Sequence, residues 1–179
     1  MTAAGTDREQ NLSTPPGFRG AFRTDEEARA VYSEAAGITQ IIPTAVAVPV
    51  DADDVIAIVK WAAAQGISLV PRGSGSSMAG GAVGPGVVVD MSRIDWIDPP
   101  DVDNKRIWVG PGAIRATVSS TVGKLGLRFP VDPSSGTFCT IGGMVSTNAA
   151  GPHSLKFGAT REWVRSLDCV FADGTRAIV

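Results

Sequence analysis

Apolar and polar positions in the first half of the chain alternate in a way that predicts a strand, a helix and a second strand. Residues 45–50 are apolar and predict the first strand, while residues 51–65 predict a helix that Asp51 caps and Gly66 ends. One face of this helix carries apolar side chains at positions i, i+3, i+4 and i+7, namely Val55, Ile58, Val59 and Ala62. Residues 67–71 return as a strand, so the two strands should run parallel.

Further elements predict an α+β fold with two lobes that meet near residue 92. A helix should begin at a cap-like Thr24 and end at Gly37, and the β-branched run within residues 86–92 should be a strand. In the second half, residues 113–126 are helical in character, and Ala172 to Gly174 between two apolar runs predict a hairpin.

These elements divide the chain into three predicted parts. Residues 1–22 form a flexible arm that docks around Phe18 and Phe22, and residues 23–92 form a first lobe with a small βαβ-containing sheet. Residues 93–179 form a second lobe with a mixed or antiparallel sheet and helices.

The amino-acid composition argues against several classes of protein. The 179 residues include 16 Lys and Arg against 18 Asp and Glu, and a net charge of −2 argues against nucleic-acid binding through bulk positive charge. Two cysteines and one histidine cannot form a disulfide framework or a His-rich metal site. The sequence shows no signal-peptide pattern and no apolar run of transmembrane length, so we expect a cytoplasmic protein without a transmembrane segment.

The first loop, residues 71–81, has the sequence PRGSGSSMAGG and follows a predicted strand. Its glycines allow positive φ, so that consecutive N–H groups can converge on an anion, and Arg72 could add charge. The Rossmann pattern fails at Met78, and a Walker A loop fails because Gly81 and Ala82 stand where Lys and Ser or Thr belong. A loop without a ligand remains the alternative.

The second glycine segment, residues 132–151, predicts a helix that Thr140 caps. Gly142 and Gly143 in its first turn each lower helix propensity by about 1 kcal/mol relative to Ala, so they need a compensating reason. A phosphate close to free N–H groups at the helix N-terminus is one reason, and tight packing against a neighbouring strand is the other.

Four side chains are weaker candidates for chemistry. Cys139 lacks a basic neighbour and is expected to be a small packed residue, not a nucleophile. His153 is the single candidate imidazole base, but the sequence places no acid to orient it. Asp90 and Asp132 are isolated carboxylates that are expected to cap turns.

Taken together, these motifs resemble the FAD-binding domain of the FAD-linked oxidases, the vanillyl-alcohol oxidase and para-cresol methylhydroxylase superfamily, and within it the glycolate and D-lactate dehydrogenase branch. The resemblance depends on an ordered series of motifs: PRGSGSSMAGG, GVVVDMSR, VGPG, DPSS, CTIGGMVSTNAAG, SLKFG and ADG. It implies a two-lobed FAD-binding domain whose first loop holds the FAD pyrophosphate.

The resemblance also implies which residues contact FAD. They are Arg72, Gly73, Ser74, Gly75, Ser76, Ser77 and Met78 of the first loop, then Pro111, Gly112, Asp132, Pro133, Ser134, Ser135, Thr140, Ile141, Gly142 and Gly143, with Asn148, Ala149 and Gly158 nearby. Some relatives attach the flavin to a histidine in the first loop, whereas this loop has Ser76 and Ser77, so FAD should be bound non-covalently. Phe157 stands where relatives often have Tyr, so a phenolic hydroxyl is lost there.

The function implied is oxidation of a small 2-hydroxy acid, such as glycolate or D-lactate, by hydride transfer to FAD. Relatives carry a further C-terminal substrate domain, so the chain is expected to be part of a longer enzyme and inactive alone. Two alternatives remain: a flavoprotein like UDP-N-acetylenolpyruvoylglucosamine reductase, which uses NADPH, and a non-catalytic flavin-binding module or subunit.

Overall fold

A four-stranded sheet organises the first half of the chain in the computed structural model, which describes residues 12–179. The elements in chain order are β1 (Ala21–Arg23), α1 (Glu26–Val31), β2 (Ala45–Val48), α2 (Ala52–Gln65), β3 (Leu69–Arg72), β4 (Val87–Asp90), α3 (Arg115–Gly123), α4 (Ile141–Thr147), α5 (Ser154–Phe157), β5 (Asp168–Val170) and β6 (Arg176–Ile178). Short 3-10 helices cover Met91–Arg93 and Thr160–Trp163. This mixture of sheets and helices confirms the predicted α+β class.

Strand β4 lies at the centre of this sheet, whose order is β1, β2, β4, β3. Its residues Val87, Val88 and Val89 are at most 4% exposed, as expected for a strand with both faces covered. Strand β1 pairs antiparallel with β2, whereas β2 and β3 both pair parallel with β4. The main core lies between this sheet and α2, where Ile58 is fully buried.

Helix α2 has the predicted start and end. The Asp51 carboxylate accepts hydrogen bonds from the N–H groups of Asp53 and Asp54 at 3.0 and 3.1 Å, and Gly66 ends the helix with φ +65°. The flanking strands are parallel, as predicted, but β4 lies between them in the sheet.

The connection from β3 to β4 contains no helix. Residues 73–86 join these two parallel strands through the first loop alone. Parallel strands are usually joined by a crossover helix, so the first loop occupies the place of one. It therefore begins at the end of the edge strand β3 and leads towards the buried strand β4.

Helix α1 is shorter than predicted. It is capped by Asp25, not Thr24, and it ends before Tyr32 instead of reaching Gly37. The carbonyl groups of Tyr32 and Glu34 accept hydrogen bonds from the side chain of Arg72, a distant residue, and so do not continue the helix. The strands β2, β3 and β4 also differ from their predicted bounds by one or two residues.

Part of the predicted arm, residues 1–22, belongs to the packed structure. Residues 1–11 lie outside the described part. Phe18 is 8% exposed, Phe22 lies in β1, and the rings of Phe18, Phe22 and Trp61 contact edge to face. Docking at the two phenylalanines is as predicted, but the segment around them is an ordered strand of the sheet.

The second half of the chain contains the predicted hairpin. Strands β5 and β6 pair antiparallel, and Gly174 turns between them with φ +79°. The hairpin packs against α2, because a Cβ on Gly174 would lie 2.6 Å from Cγ of Lys60. No helix within residues 12–179 is long and apolar enough to cross a membrane.

Candidate cofactor-binding site

The two glycine-rich segments meet at Gly73 and Thr140. A Cβ on Gly73 would lie 2.2 Å from Oγ1 of Thr140, the residue that caps α4. No larger residue fits at position 73 unless the N-terminus of α4 moves. The first loop and the start of α4 therefore form one surface, although 66 positions separate Ser74 from Thr140 along the chain.

An open groove with a volume of about 670 Å³ lies on this surface. Its lining residues are Glu34, Ala35, Ala36, Arg72, Ser74, Gly75, Ser76, Ile114, Thr137 and Phe138. Four of these were predicted from the first loop. The others were not predicted as site residues. Glu34 to Ala36 were assigned to a helix, Thr137 and Phe138 lie in the second glycine segment but were not singled out, and Ile114 belongs to no motif.

The first loop leaves its backbone donors available. Gly75 is buried and adopts φ +70°, and its carbonyl group accepts a hydrogen bond from the N–H of Ala36 at 2.9 Å. Among residues 12–179, no protein acceptor is within hydrogen-bond geometry of the N–H groups of residues 74–78. Consecutive free amides around a residue with positive φ can bind an anion.

The side chains of the first loop differ in exposure. The hydroxyls of Ser74 and Ser76 lie 3.2 Å apart, and Ser77 Oγ accepts a hydrogen bond from the N–H of Ala79. Met78 is 80% exposed and does not line the groove. The serine hydroxyls therefore remain the side-chain donors nearest the free amides.

The side chain of Arg72 folds back against Gly75 of the first loop. Its Nη1 donates to the carbonyl groups of Glu34 at 2.8 Å, Ala82 at 3.1 Å and Tyr32 at 3.4 Å. Its guanidinium also lies 5.2 Å from the centroid of the Tyr32 ring, a cation–π distance. Carbonyl groups of the protein thus accept the hydrogen bonds of Nη1, although the sequence predicts that Arg72 adds positive charge at an anion site.

Tyr32 links Arg72 to the end of β4. Its hydroxyl donates to the carboxylate of Asp90, and burial together with this bond raises the pKa of Tyr32 to about 12. Asp90 is 7% exposed and also accepts a bond from the N–H of Ser92 at 2.8 Å, which is the predicted turn cap.

The start of α4 uses its amides within the protein. The N–H groups of Ile141 and Gly142 donate to the carbonyl groups of Ala113 at 2.8 Å and Pro111 at 2.9 Å. Those of Gly143 and Met144 donate to Thr140, at its Oγ1 and its carbonyl group. The phosphate alternative therefore lacks the free N–H groups on which it depended.

Close packing explains the glycine in this turn. A Cβ on Gly142 would lie 2.7 Å from Cβ and 2.9 Å from the carbonyl oxygen of Pro111. Gly112 is held as tightly, with Met91 O 2.3 Å from where its Cβ would be. Tight packing is therefore present, as one alternative expected, but against the turn at Pro111 and not against a strand. Contact between these residues and a cofactor stays a prediction.

Asp132 and His153 form a pair that the sequence did not reveal. Nδ1 of His153 contacts Oδ2 of Asp132, so the expectation that no acid orients His153 is wrong. The contact with His153, opposed by partial burial, lowers the pKa of Asp132. Gly151 lies against the backbone of Asp132, and no pattern signalled a pair 21 residues apart.

The remaining predicted site residues shape turns next to this pair. The carbonyl group of Pro133 accepts from Gly136, and that of Ser135 accepts from Phe138 and Cys139, each at 2.8 Å. Ser134 is exposed in the same turn. Cys139 is 6% exposed and burial raises the pKa of its thiol, in line with a packed residue.

Three predicted residues lie beyond α4. Asn148 ends the helix with φ +47°, and its Oδ1 accepts from the N–H of Arg161. The carbonyl group of Ala149 accepts two bonds from Thr160, and Gly158 follows α5 with φ +72°. Their predicted proximity to a cofactor stays a prediction. Within residues 12–179, no cluster of three or more His, Cys, Asp or Glu side chains could hold a metal ion.

Curated relatives include a D-2-hydroxyglutarate dehydrogenase of Pseudomonas putida, which is 33% identical over 89% of this chain and 16% of its own length. The glycolate oxidase subunit GlcD of Bacillus subtilis is 35% identical over 86% of this chain and 33% of its own length. A D-lactate dehydrogenase of Archaeoglobus fulgidus is 34% identical over 86% of this chain and 34% of its own length. The chain thus spans about a sixth to a third of the length of these relatives.

Solved structures show the same fold. The 6-hydroxy-D-nicotine oxidase of Arthrobacter nicotinovorans superposes with a TM-score of 0.81 and 23% identity, over 94% of this chain and 37% of that one. The xylooligosaccharide oxidase of Myceliophthora thermophila gives a TM-score of 0.76 and 22% identity, over 90% and 34%. These likenesses confirm the fold implied by the motif series.

The family comparison covers most of the chain. Residues 43–178 match the family described as the FAD binding domain, a span that contains the first loop, the second glycine segment and the hairpin. The chain therefore belongs to the FAD-binding domain family, as its ordered motifs indicate.

Proposed function

We propose that this chain is the FAD-binding part of an oxidoreductase that oxidises a small 2-hydroxy acid and binds FAD non-covalently. The relatives above are named for glycolate, D-lactate and D-2-hydroxyglutarate, which all carry a hydroxyl group on the carbon next to a carboxylate. When bound, FAD supplies the acceptor for the hydride of the substrate. The contribution of the chain is to hold and orient this cofactor.

The observation that carries the proposal is the set of free amides at residues 74–78. A pyrophosphate offers several acceptor oxygens and negative charge, and these amides with the hydroxyls of Ser74 and Ser76 supply matching donors. Arg72 adds a positive charge beneath them and forms no salt bridge to a carboxylate within residues 12–179. The residues present therefore fit the phosphate part of FAD.

The apolar part of the groove fits a flat aromatic group. Ala35, Ala36, Ile114 and Phe138 line it beside the first loop, and Phe138 is 68% exposed. An exposed aromatic ring next to phosphate donors favours a nucleotide over a free anion.

Non-covalent binding agrees with the placement of the nucleophilic side chains. The first loop holds neither His nor Cys, Cys139 is buried, and His153 contacts Asp132. Both cysteines are free thiols, which supports a reducing, cytoplasmic location. The net charge of −2 and the apolar groove favour a small-molecule partner over nucleic acid.

The cofactor is tested by titrating the flavin-free chain with FAD, FMN and riboflavin and following flavin fluorescence. We expect FAD to bind most tightly, and acid precipitation of the loaded protein should leave all flavin in the supernatant. Equal affinities for FAD and riboflavin would contradict the role of the first loop.

The substrate class is tested by anaerobic mixing of the FAD-loaded native protein with glycolate, D-lactate and D-2-hydroxyglutarate. At least one of them should bleach the flavin absorbance, while 3-hydroxypropionate and 3-hydroxyglutarate, the 3-hydroxy isomers of lactate and 2-hydroxyglutarate, should not. Bleaching by NADPH without any hydroxy acid would contradict the proposed class and favour a reductase.

A further inference from the structure

We propose that Arg72 is a positioning residue whose Nη1 holds the first loop in its anion-binding shape instead of binding a phosphate. This inference rests on the proposed function, because it concerns how the FAD site is kept in place. It assigns the arginine a different role from the one that the sequence motif suggests.

The contacts of Nη1 carry the inference. This nitrogen donates to the carbonyl groups of Glu34, Ala82 and Tyr32, which belong to the segment after α1 and to the end of the loop between β3 and β4. One side chain therefore ties together two stretches of chain that flank the groove. A nitrogen that already serves three carbonyl groups has no donor left for a phosphate.

Nη2 of Arg72 packs against Gly75 of the first loop. It lies 2.5 Å from where a Cβ on Gly75 would be, so the guanidinium fills the space directly under this residue. Gly75 can rest on it because it lacks a side chain and adopts φ +70°. Ala36 N–H also donates to the Gly75 carbonyl group at 2.9 Å, which is a second contact that holds the loop.

A partly buried chain of contacts fixes the guanidinium in turn. It stacks on the Tyr32 ring, whose hydroxyl is bonded to Asp90 at the end of β4. These contacts connect the first loop to Asp90 in β4, an inner strand of the sheet. This arrangement needs a planar guanidinium, since an ammonium group cannot both stack and reach the same three carbonyl groups.

The test compares Arg72→Lys and Arg72→Met with a matched control, Arg128→Lys. Arg128 also stacks on a ring at 5.2 Å, that of Phe157, and has no hydrogen bond to a carbonyl group among residues 12–179. Two readouts are measured: the ratio of FAD to riboflavin affinity, and hydrogen exchange of the Ala36 amide in flavin-free protein. Far-UV circular dichroism checks that each variant is folded.

If Arg72 positions the loop, both Arg72 variants accelerate Ala36 exchange and lower the FAD to riboflavin ratio by about tenfold or more, while the control changes neither. A ligand role is indicated, and the proposal overturned, if Arg72→Met loses FAD affinity with Ala36 exchange unchanged. Normal exchange and affinity in Arg72→Lys would equally overturn it, because charge alone would then suffice.

Failure of the proposed function gives a different result. If the parent chain binds no FAD, the exchange of Ala36 still decides whether Arg72 positions the loop. Tyr32→Phe supplies a milder variant that removes just the hydroxyl bond to Asp90. We expect it to accelerate Ala36 exchange less than Arg72→Lys does, and an unchanged rate would remove Tyr32 and Asp90 from the positioning chain.

Discussion

The two glycine-rich segments lie side by side but use their backbones in opposite ways. In the first loop, Gly75 has positive φ and the amides of residues 74–78 remain available. At the start of α4, the amides from Ile141 to Met144 all donate to protein oxygens, and Gly142 provides close contact with Pro111. Glycine thus supplies backbone freedom in the first loop and lack of volume at the start of α4.

The two segments therefore have different roles in the site. The first loop offers hydrogen bonds to a ligand, whereas the start of α4 provides a fixed wall on which Gly73 of the first loop rests. A helix of seven residues with its first-turn amides occupied retains no donors with which to bind a phosphate. We therefore expect changes in the first loop to alter binding and changes in α4 to alter stability.

The largest expected effect is that of Gly75→Val on FAD binding. A β-branched residue at φ +70° is strained by about 1–2 kcal/mol, and its Cβ collides with the guanidinium of Arg72. We expect no FAD binding at up to about 100 times the parent Kd, with unchanged far-UV circular dichroism.

Gly81→Val is the control for this substitution. Gly81 belongs to the same loop, has nothing within 4 Å of an added Cβ and does not need positive φ. It should bind FAD like the parent. Parent-like affinity in Gly75→Val would show that the loop does not form the binding site.

The second effect is stabilisation by the ligand itself. FAD at 100 times its Kd should add about 2.7 kcal/mol to the free energy of unfolding. For a chain of this size, that raises Tm by roughly 5–10 °C at about 2–4 °C per kcal/mol. Calorimetry with FAD and FMN checks this, and FMN should do less because it lacks the second phosphate and the adenosine.

Hydrogen exchange sharpens this result. Bound FAD should protect the amides of residues 74–78, whereas the amides from Ile141 to Met144 are already bonded and should change little. Equal shifts in Tm from FMN and FAD, or protection confined to α4, would contradict the roles that we assign to the two segments.

The third effect is a loss of stability in Gly142→Ala. The added methyl group would lie 2.7 Å from Cβ of Pro111, and such overpacking costs about 1–3 kcal/mol. This exceeds the gain of about 1 kcal/mol in helix propensity. Urea denaturation should therefore give a lower midpoint at an unchanged m-value.

Gly123→Ala is the matched control, since it lies in α3 with open space around its Cα. It should stabilise the chain by up to about 1 kcal/mol through helix propensity. If Gly142→Ala were stabilising as well, the glycine in α4 would need a ligand to explain it after all.

The smallest effect concerns pH. The pKa of Asp132 is lowered in the folded state, first by its bond to His153, so the carboxylate stabilises the fold above its unfolded pKa of about 3.9. This contribution is lost as the pH falls from about 5 through the lower folded pKa. In Asp132→Asn, the free energy of unfolding should fall less steeply with acidification, as measured by urea denaturation at each pH.

His153→Gln removes the first cause of this shift, so it should reduce the slope in the same direction. Arg115 also lowers the pKa of Asp132, which leaves part of the slope in place. Identical slopes in the parent and Asp132→Asn would show that the pair does not contribute to stability.

Local signals predicted those parts of the fold that depend on neighbouring residues. The cap at Asp51, the end at Gly66 and the turn at Gly174 all follow from side chains and backbone angles within a few positions. The α+β class and the motif series also followed from order along the chain. Predicting these features does not require knowing which residues pack against them.

Distant contacts account for what could not be predicted. Helix α1 stops at Tyr32 because Arg72 binds carbonyl groups 38 and 40 residues earlier, and His153 meets an acid 21 residues away. The two glycine segments could not be distinguished either, since φ and hydrogen-bond partners decide their roles. No single-sequence pattern encodes which carbonyl group will satisfy a given amide.

The packing of the hairpin against α2 has a consequence for synthesis of the chain. The helix ends at Gln65, and the strands that cover it begin at Asp168, roughly one hundred residues later. At translation rates of about 5–20 residues per second, this face of α2 stays uncovered for about 5–20 seconds after the helix emerges from the ribosome. The nascent chain thus exposes this face of α2 during that interval, and the face is covered once β5 and β6 have been made.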